Sequence, residues 1–440
     1  MKRASILAVC LFVACGGSNN NGNGDDDNSQ TDASTGSGSG SGSGNGSGSG
    51  SGIAPGVYAI PLTTPDDSFW APTLTVGSQQ FVMDLDTGST SVGIAGSTCT
   101  SCTGLSPLYT PGSTATDQDG SASTEYADNS GWSGEIYQDT IALENGSPNA
   151  QLNLVDITAQ TGGFFSGNVY QGILGMGSPE NAEPNTGAYF NTITTTSGVT
   201  PIMAFELCAK DGTMWLGGFD QTHASAAPAY TPMEAISDNQ PFYSIDITGA
   251  SLGSAALTDA TATDLTDWVV DTGTTLFYIP TPMLTALIKD INANTSFKTL
   301  FPGSTFKNSS TAASCTKKGT TTVTDAQVES MLPSFTMTMK NAGGGADITV
   351  TAGPLESYLY DNGDGTFCLG AQDGGTGSQA EVTMGDQILQ GFVSIIDLKN
   401  QQVGWAPDAY CAVNGAKFPA KKSASFHPHL PKPHHPNRAH

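Results

Sequence analysis

Phe81-Val82-Met83-Asp84-Leu85-Asp86-Thr87-Gly88-Ser89-Thr90 is the stretch on which the fold turns. An apolar run that reads as a buried strand ends in Asp-Thr-Gly and continues into hydroxyl residues. A carboxylate buried at the end of such a strand is costly unless something compensates it. Trp268-Val269-Val270-Asp271-Thr272-Gly273-Thr274-Thr275 repeats the pattern. A second, symmetry-related carboxylate sharing one proton with the first is such a compensation. In a chain rich in Asp, Thr and Gly, one Asp-Thr-Gly can arise by chance. Two copies, each behind an apolar strand, point to a paired-carboxylate site.

The 440 residues suit two domains, or one bilobal unit with tails. A hydrophobic content of 37%, with 54 Gly and 24 Pro, favours short strands joined by turns. The net charge of −25 excludes nucleic acid and anionic membranes as partners. Between Arg3 and Lys210 there is no Lys, Arg or His. Protonation at low pH would relieve the repulsion this leaves, so the first half suits an acidic environment. A merely soluble exported surface explains it equally.

Lys2 and Arg3, the apolar run Ile6 to Ala14, then Cys15 and two glycines have the layout of a secretory signal over residues 1–14. Leu11-Phe12-Val13-Ala14-Cys15 resembles a bacterial lipobox, with Cys15 lipidated. Ordinary cleavage is the alternative, and the run is too short for a transmembrane helix. Residues 15–52, of Asn, Gly, Ser and Asp, form a flexible tether. Six further cysteines (Cys99, Cys102, Cys208, Cys315, Cys368, Cys411) are an even set, expected as three disulfides in an exported chain. Cys99-Thr-Ser-Cys102 fits a small loop staple; a redox or zinc site is the competing reading.

Val57–Ile60 and Thr73–Gly77 read as entry strands, with Pro61 and Pro65 between them. Residues Thr124 to Ile141 read as a hairpin with its tip at Asp128-Asn129-Ser130-Gly131. Tyr170 to Gly177 reads as an apolar strand ending in glycines. Phe205–Cys208 and Met214–Asp220 read as strands, and Phe242–Ile247 as the first strand of the second half. Pro282 to Asn292 is the one clear helix, with Met283, Leu284, Leu287, Ile288 and Ile291 at helical spacing.

On these motifs, over roughly residues 55 to 411, the chain resembles the pepsin-like aspartic proteases. The resemblance implies an all-β, bilobal pepsin-like fold: two pseudo-symmetric β-rich lobes with the active site in the cleft between them. The first lobe would span 53–235, the second 236–412, and a basic Pro/His-rich tail 413–440. It implies that Asp86 and Asp271 are the catalytic pair, with Thr87 and Thr272 cross-linking the two active loops. Gly88 and Gly273 complete these loops, and Ser89 and Thr274 would bond the carboxylates' outer oxygens. Tyr126 would be the flap tyrosine, with Asp128 reaching the substrate. Ile173-Leu174-Gly175 and Thr383-Met384-Gly385-Asp386 would brace the two loops. Phe164, Tyr170 and Ile173 fall where relatives line the S1 pocket, with ordinary core packing as the alternative. The disulfides implied are Cys99–Cys102, Cys315–Cys368 and, as in the plant-type branch, Cys208–Cys411.

The implied activity is hydrolysis of peptide bonds in extended polypeptides at acidic pH. An Asp-Asp dyad and an activated water would do it, with no metal and no cofactor. Asp84 lies two residues before Asp86 and so on the same side of the strand. With Asp128 it would place negative charge near S1 and admit Lys as well as large apolar residues; a purely structural Asp84 is the alternative. Three departures stand out. Gly93 occupies the position of a tryptophan that holds the flap tyrosine in most relatives, and Trp132 in the flap is a candidate substitute. Ala127 replaces the usual flap glycine. No basic prosegment separates tether and first strand, so activity without its removal, or control in some other way, is expected. The rival readings are a catalytically inactive pepsin-fold binding or inhibitor protein at the cell surface and, less favoured, an adhesin. The expected partners are polypeptide substrates, with membrane contact only through Cys15, and the expected state is a monomer. The expected location is the outer membrane or cell surface of a bacterium, or otherwise secreted or periplasmic. In the tail, His427, His429, His434 and His435 read either as a charged surface segment or as metal ligands.

Overall fold

The computed structural model describes residues 53–413, apart from short gaps at 66–68, 166, 168, 238–239, 258–259, 309–313, 320–321 and 378–380. The expected signal, Cys15, the tether and the tail from residue 414 lie outside the described residues. Among the described residues, no helix is long and apolar enough to cross a membrane.

The chain is mostly β, as expected. Gln79–Asp86 is a strand of a seven-stranded sheet, in the order Thr73–Val76, Gln79–Asp86, Gly172–Gly175, Val92–Ala95, Ala150–Thr161, Gly131–Leu143, Thr116–Glu125. Thr73–Val76 pairs also with Gly131–Leu143, so the sheet curls back on itself. Phe81, Met83 and Leu85 alternate into the main core. That periodicity of two leaves Asp84 and Asp86 on the opposite face.

The second Asp-Thr-Gly repeats this topology. Gln79–Asp86 runs parallel to Gly172–Gly175, which is antiparallel to Val92–Ala95, itself parallel to Ala150–Thr161. Trp268–Val270 runs parallel to Thr383–Met384, which is antiparallel to Phe277–Ile279, itself parallel to Ala371–Asp373. Each parallel pairing brings an active strand's end beside a bracing strand's end: Asp86 opposite Gly175 and Val270 opposite Met384.

A six-stranded antiparallel sheet joins the halves, in the order Tyr58–Thr63, Asp211–Leu216, Ile202–Leu207, Phe392–Asp397, Gln402–Pro407, Ala229–Pro232. Pro61 sits inside the first of these strands, not after it. It is tolerated because the strand is at the sheet edge and has one neighbour. The expected strand Phe242–Ile247 is divided into Ser244–Ile245 and Ile247–Leu252, in different sheets.

The expected helix forms over Thr281–Ala293 and buries Met283, Leu284, Leu287, Ile288 and Ile291. It has company. Tyr189–Ser197 is helical although four of its nine residues are Thr; Thr192, Thr195 and Thr196 donate back to carbonyls four residues earlier. Gly198 ends that helix at φ +68°. Thr324 and Gln327 form a capping box at the start of Asp325–Met331. Cys99–Cys102, Cys208–Cys411 and Cys315–Cys368 are disulfide-bonded, the three pairs the resemblance implied.

Candidate active site

The two Asp-Thr-Gly loops meet, and the threonines interlock them. The Thr87 hydroxyl donates to the Val270 carbonyl at 2.8 Å and accepts from the Thr272 amide at 3.0 Å. The Thr272 hydroxyl donates to the Leu85 carbonyl at 2.8 Å and accepts from the Thr87 amide at 3.1 Å. Each hydroxyl thus satisfies two buried backbone groups of the opposite strand, which would otherwise cost several kcal/mol in desolvation.

Above this lock the carboxylates face each other, both fully buried. The Asp86 carboxylate accepts from the Gly88 amide at 2.7 Å and the Ser89 amide at 3.1 Å, and its outer oxygen accepts from the Ser89 hydroxyl. The Asp271 carboxylate accepts from the Gly273 amide at 2.9 Å, and its outer oxygen accepts from the Thr274 hydroxyl. The glycines are needed for closeness. A Cβ on Gly88 would lie 2.6 Å from Asp271 Oδ1, and one on Gly273 2.4 Å from Asp86 Oδ1. Gly175 and Gly385 serve one layer below, where a Cβ would meet backbone of Thr90 at 2.3 Å or the Leu276 oxygen at 2.2 Å.

Burial above all raises the Asp86 carboxyl well above the usual carboxylate range. The Asp271 charge adds to this, the Ser89 hydrogen bond opposes it, and the Asp84 charge raises it further. A shared-proton pair requires this electrostatic situation. Asp84 is buried on the same face as Asp86, opposite Ile173 in the parallel pairing.

The hairpin Thr116–Glu125 and Gly131–Leu143 carries Tyr126 at its tip, with the Tyr126 amide donating to the Ser130 carbonyl at 2.8 Å. Asp128 folds the tip locally, accepting from the Ser130 amide at 2.8 Å. The Tyr126 ring is 1% exposed and stacks on Phe164 at 5.5 Å. Phe164 in turn meets Tyr170 edge-on at 6.0 Å, and Tyr170 meets Phe69 at 4.9 Å. With Ile173 and Trp132 these form one cluster beneath the hairpin. Trp132 takes the role considered for it: its indole N–H donates to the Tyr126 hydroxyl at 2.9 Å, and its ring lies 3.6 Å from where a Gly93 Cβ would be. Burial first, and then the Asp86 charge, pushes the Tyr126 hydroxyl well up, so it stays a neutral donor.

Other residues at the site carried no signal in the sequence. The Asn181 side chain donates to the Gly88 carbonyl at 3.1 Å. The Tyr243 hydroxyl donates to the Met176 carbonyl at 3.2 Å, while its own carbonyl accepts from Val270, so it ties the first bracing strand to the second active strand. Burial pushes the Tyr278 hydroxyl up to about 12, helped by the charges of Glu381 and Asp128. These are contacts between distant segments, so no local motif announces them. Among the described residues, the one group with metal-ligand spacing is Glu206, Cys208 and Cys411, away from this site, and its two cysteines are in a disulfide.

Comparison with known proteins agrees with this arrangement. An aspartic protease of Phaffia rhodozyma is 29% identical over 342 residues, which are 77% of this chain and 76% of that protein. A beta-secretase of Strongylocentrotus purpuratus is 24% identical over 73% of this chain, which spans 63% of that protein, just under two thirds. Pepsin-2B of Gadus morhua is 24% identical over 75% of this chain and 93% of its own length. Residues 70–408 match the family described as Eukaryotic aspartyl protease. A match that begins at the entry to the first active strand and ends beyond the last strand makes the chain a member of the eukaryotic aspartyl protease family.

Proposed function

We propose that the protein is an active aspartic endopeptidase in which Asp86 and Asp271 share one proton. The observation that carries this is the pair of carboxylates facing each other, each held by its own glycine amide and its own hydroxyl residue. One carboxylate removes a proton from a water as it attacks the scissile carbonyl; the other protonates the developing oxyanion. The proton taken from the water then passes to the leaving amine as the C–N bond breaks, and a hydroxyl of the tetrahedral intermediate returns a proton to the other carboxylate. Tyr126, kept neutral, closes with the flap over an extended peptide and excludes bulk water. The intact loops disfavour an inactive binding protein.

An acidic optimum is supported by the raised Asp86 carboxyl and by the lack of cations in the first half. Asp84, with Asp128, supplies negative charge for Lys beside the scissile bond, and Asp84→Ala should selectively reduce cleavage there. Export and anchoring through Cys15 rest on the sequence of residues 1–52 alone. The relatives compared are eukaryotic and lend no support to a bacterial lipoprotein form.

The test is hydrolysis of denatured protein across acidic pH, with and without a statine-type inhibitor. Inhibitable cleavage by the wild type and none by Asp271→Ala is the expected result. Equal behaviour of the two proteins would refute the reading.

A further inference from the structure

A pocket of about 470 Å³ lies beside the flap, outside the carboxylate pair. Ser121 and Ser123 line it from one hairpin strand, Ser133 and Glu135 from the other, and Thr158 from the next strand. Glu183 closes it from the turn after the first bracing strand. This volume is in the range that receives a ligand group rather than a single water.

Three observations join the pocket to the candidate active site. The turn that carries Glu183 is fixed to the first active loop, since Asn181 donates to the Gly88 carbonyl and the Glu183 amide donates to the Ser91 hydroxyl at 2.9 Å. The Glu183 charge acts on the Tyr126 hydroxyl, as does that of Asp86. Ser123 and Ser133 are paired across the hairpin, three residues before Tyr126 and one after Trp132.

Its lining decides what it accepts. Four hydroxyl residues and two carboxylates face it, and none of its lining residues is cationic. Glu183 is 5% exposed, so an ion pair formed with it would be poorly screened. The elements that build the pocket fall within residues 116–184, a span with no Lys, Arg or His. An ammonium or guanidinium group is the complementary ligand: it would gain charge-assisted bonds to the carboxylates and donate to the hydroxyls.

We propose that this pocket is a substrate subsite for a lysine or arginine side chain, with Glu183 as the main counter-charge and Glu135 at the rim. The inference rests on the endopeptidase reading and adds a selected residue to it. It is separate from Asp84, which lies on the strand Gln79–Asp86, away from this lining.

The experiment uses peptides that carry Lys, Arg or norleucine in turn at each position around one scissile bond. The expected result is one position at which Lys and Arg exceed norleucine by about tenfold in kcat/KM. Glu183→Gln should bring that ratio close to one, mainly through KM, and Glu183→Asp should restore part of it. Glu135→Gln, at an exposed residue, should lower the ratio by a smaller factor and serves if Glu183→Gln does not fold. Asp84→Asn should leave the ratio at this position as in the wild type. A ratio that is the same in the wild type and both glutamine variants, or a wild type with no such position, overturns the inference while the endopeptidase reading stands. A wild type that cleaves none of the peptides or denatured proteins overturns both.

Discussion

The Trp132 indole and the Tyr126 hydroxyl are joined at 2.9 Å within a single hairpin, where Thr124 pairs with Trp132 and Glu125 with Gly131. The tyrosine hydroxyl is therefore held from within its own flap, while its ring stacks on Phe164 outside the hairpin. Trp132→Phe keeps the ring and removes the donor. Loss of one net hydrogen bond, about 1 kcal/mol, predicts a fall of roughly fivefold in kcat/KM with the melting temperature little changed. Steady-state kinetics beside a thermal melt would check it; an unchanged kcat/KM would show that stacking on Phe164 alone positions the tyrosine.

The threonine lock should be mainly a matter of stability. Thr87→Val preserves shape but leaves the Val270 carbonyl and the Thr272 amide buried without their partner. Two such groups predict a loss on the order of 2–5 kcal/mol in urea unfolding. Because the two hydroxyls serve one network, Thr87→Val and Thr272→Val combined should cost less than the sum of the single changes. Full additivity would mean that the loops are independent.

Gly88→Ala should act on chemistry. Its Cβ would stand 2.6 Å from Asp271 Oδ1, and the carboxylate must move. A displacement of this kind predicts a loss of about 10²-fold in kcat. Turnover measured on a folded preparation would test it, and near-normal turnover would show that the pair tolerates wider spacing.

The pH dependence of stability has a definite sign. Burial first, then the hydrogen bond that its protonated form donates to Asp408, pushes the Glu206 carboxyl up to about 9. Burial likewise pushes Glu329 up to about 7 and Asp156 to about 6. The folded protein therefore holds protons that the unfolded chain, with carboxyls near about 4, releases. The stabilisation is full below about pH 4 and is lost progressively as pH rises toward 9. Melting temperatures should fall from pH 5 to pH 8, and the fall should be shallower in Glu206→Gln. A flat or rising profile would contradict this assignment.

What could be read in the sequence was what is encoded locally. Asp86, Asp271, their glycines, the interlocking threonines and the flap hairpin are short motifs, and the structure brings them together. Trp132 could be named only as a candidate, because its bond to Tyr126 depends on hairpin register. Asn181 and Tyr243 gave no sign, since each acts on backbone far away in the chain. The helix Tyr189–Ser197 was hidden by its threonines, whose weak helix propensity is overridden by burial of Tyr189, Phe190 and Ile193. Of the six-stranded sheet, the strands near Val57–Ile60, Phe205–Cys208 and Met214–Asp220 were legible, while Ala229–Pro232 and the pairing of the strands were not.

That sheet imposes an order of events. Ile202–Leu207 is flanked by Asp211–Leu216, close in the chain, and by Phe392–Asp397, which arrives nearly two hundred residues later. Until those last strands emerge, the middle of the sheet has an open edge that invites pairing with other chains. Late closure by distant segments also makes for slow folding. A chain shortened before residue 392 would keep both Asp-Thr-Gly motifs and still lack the strands that join the halves. Its fate would be aggregation rather than partial activity.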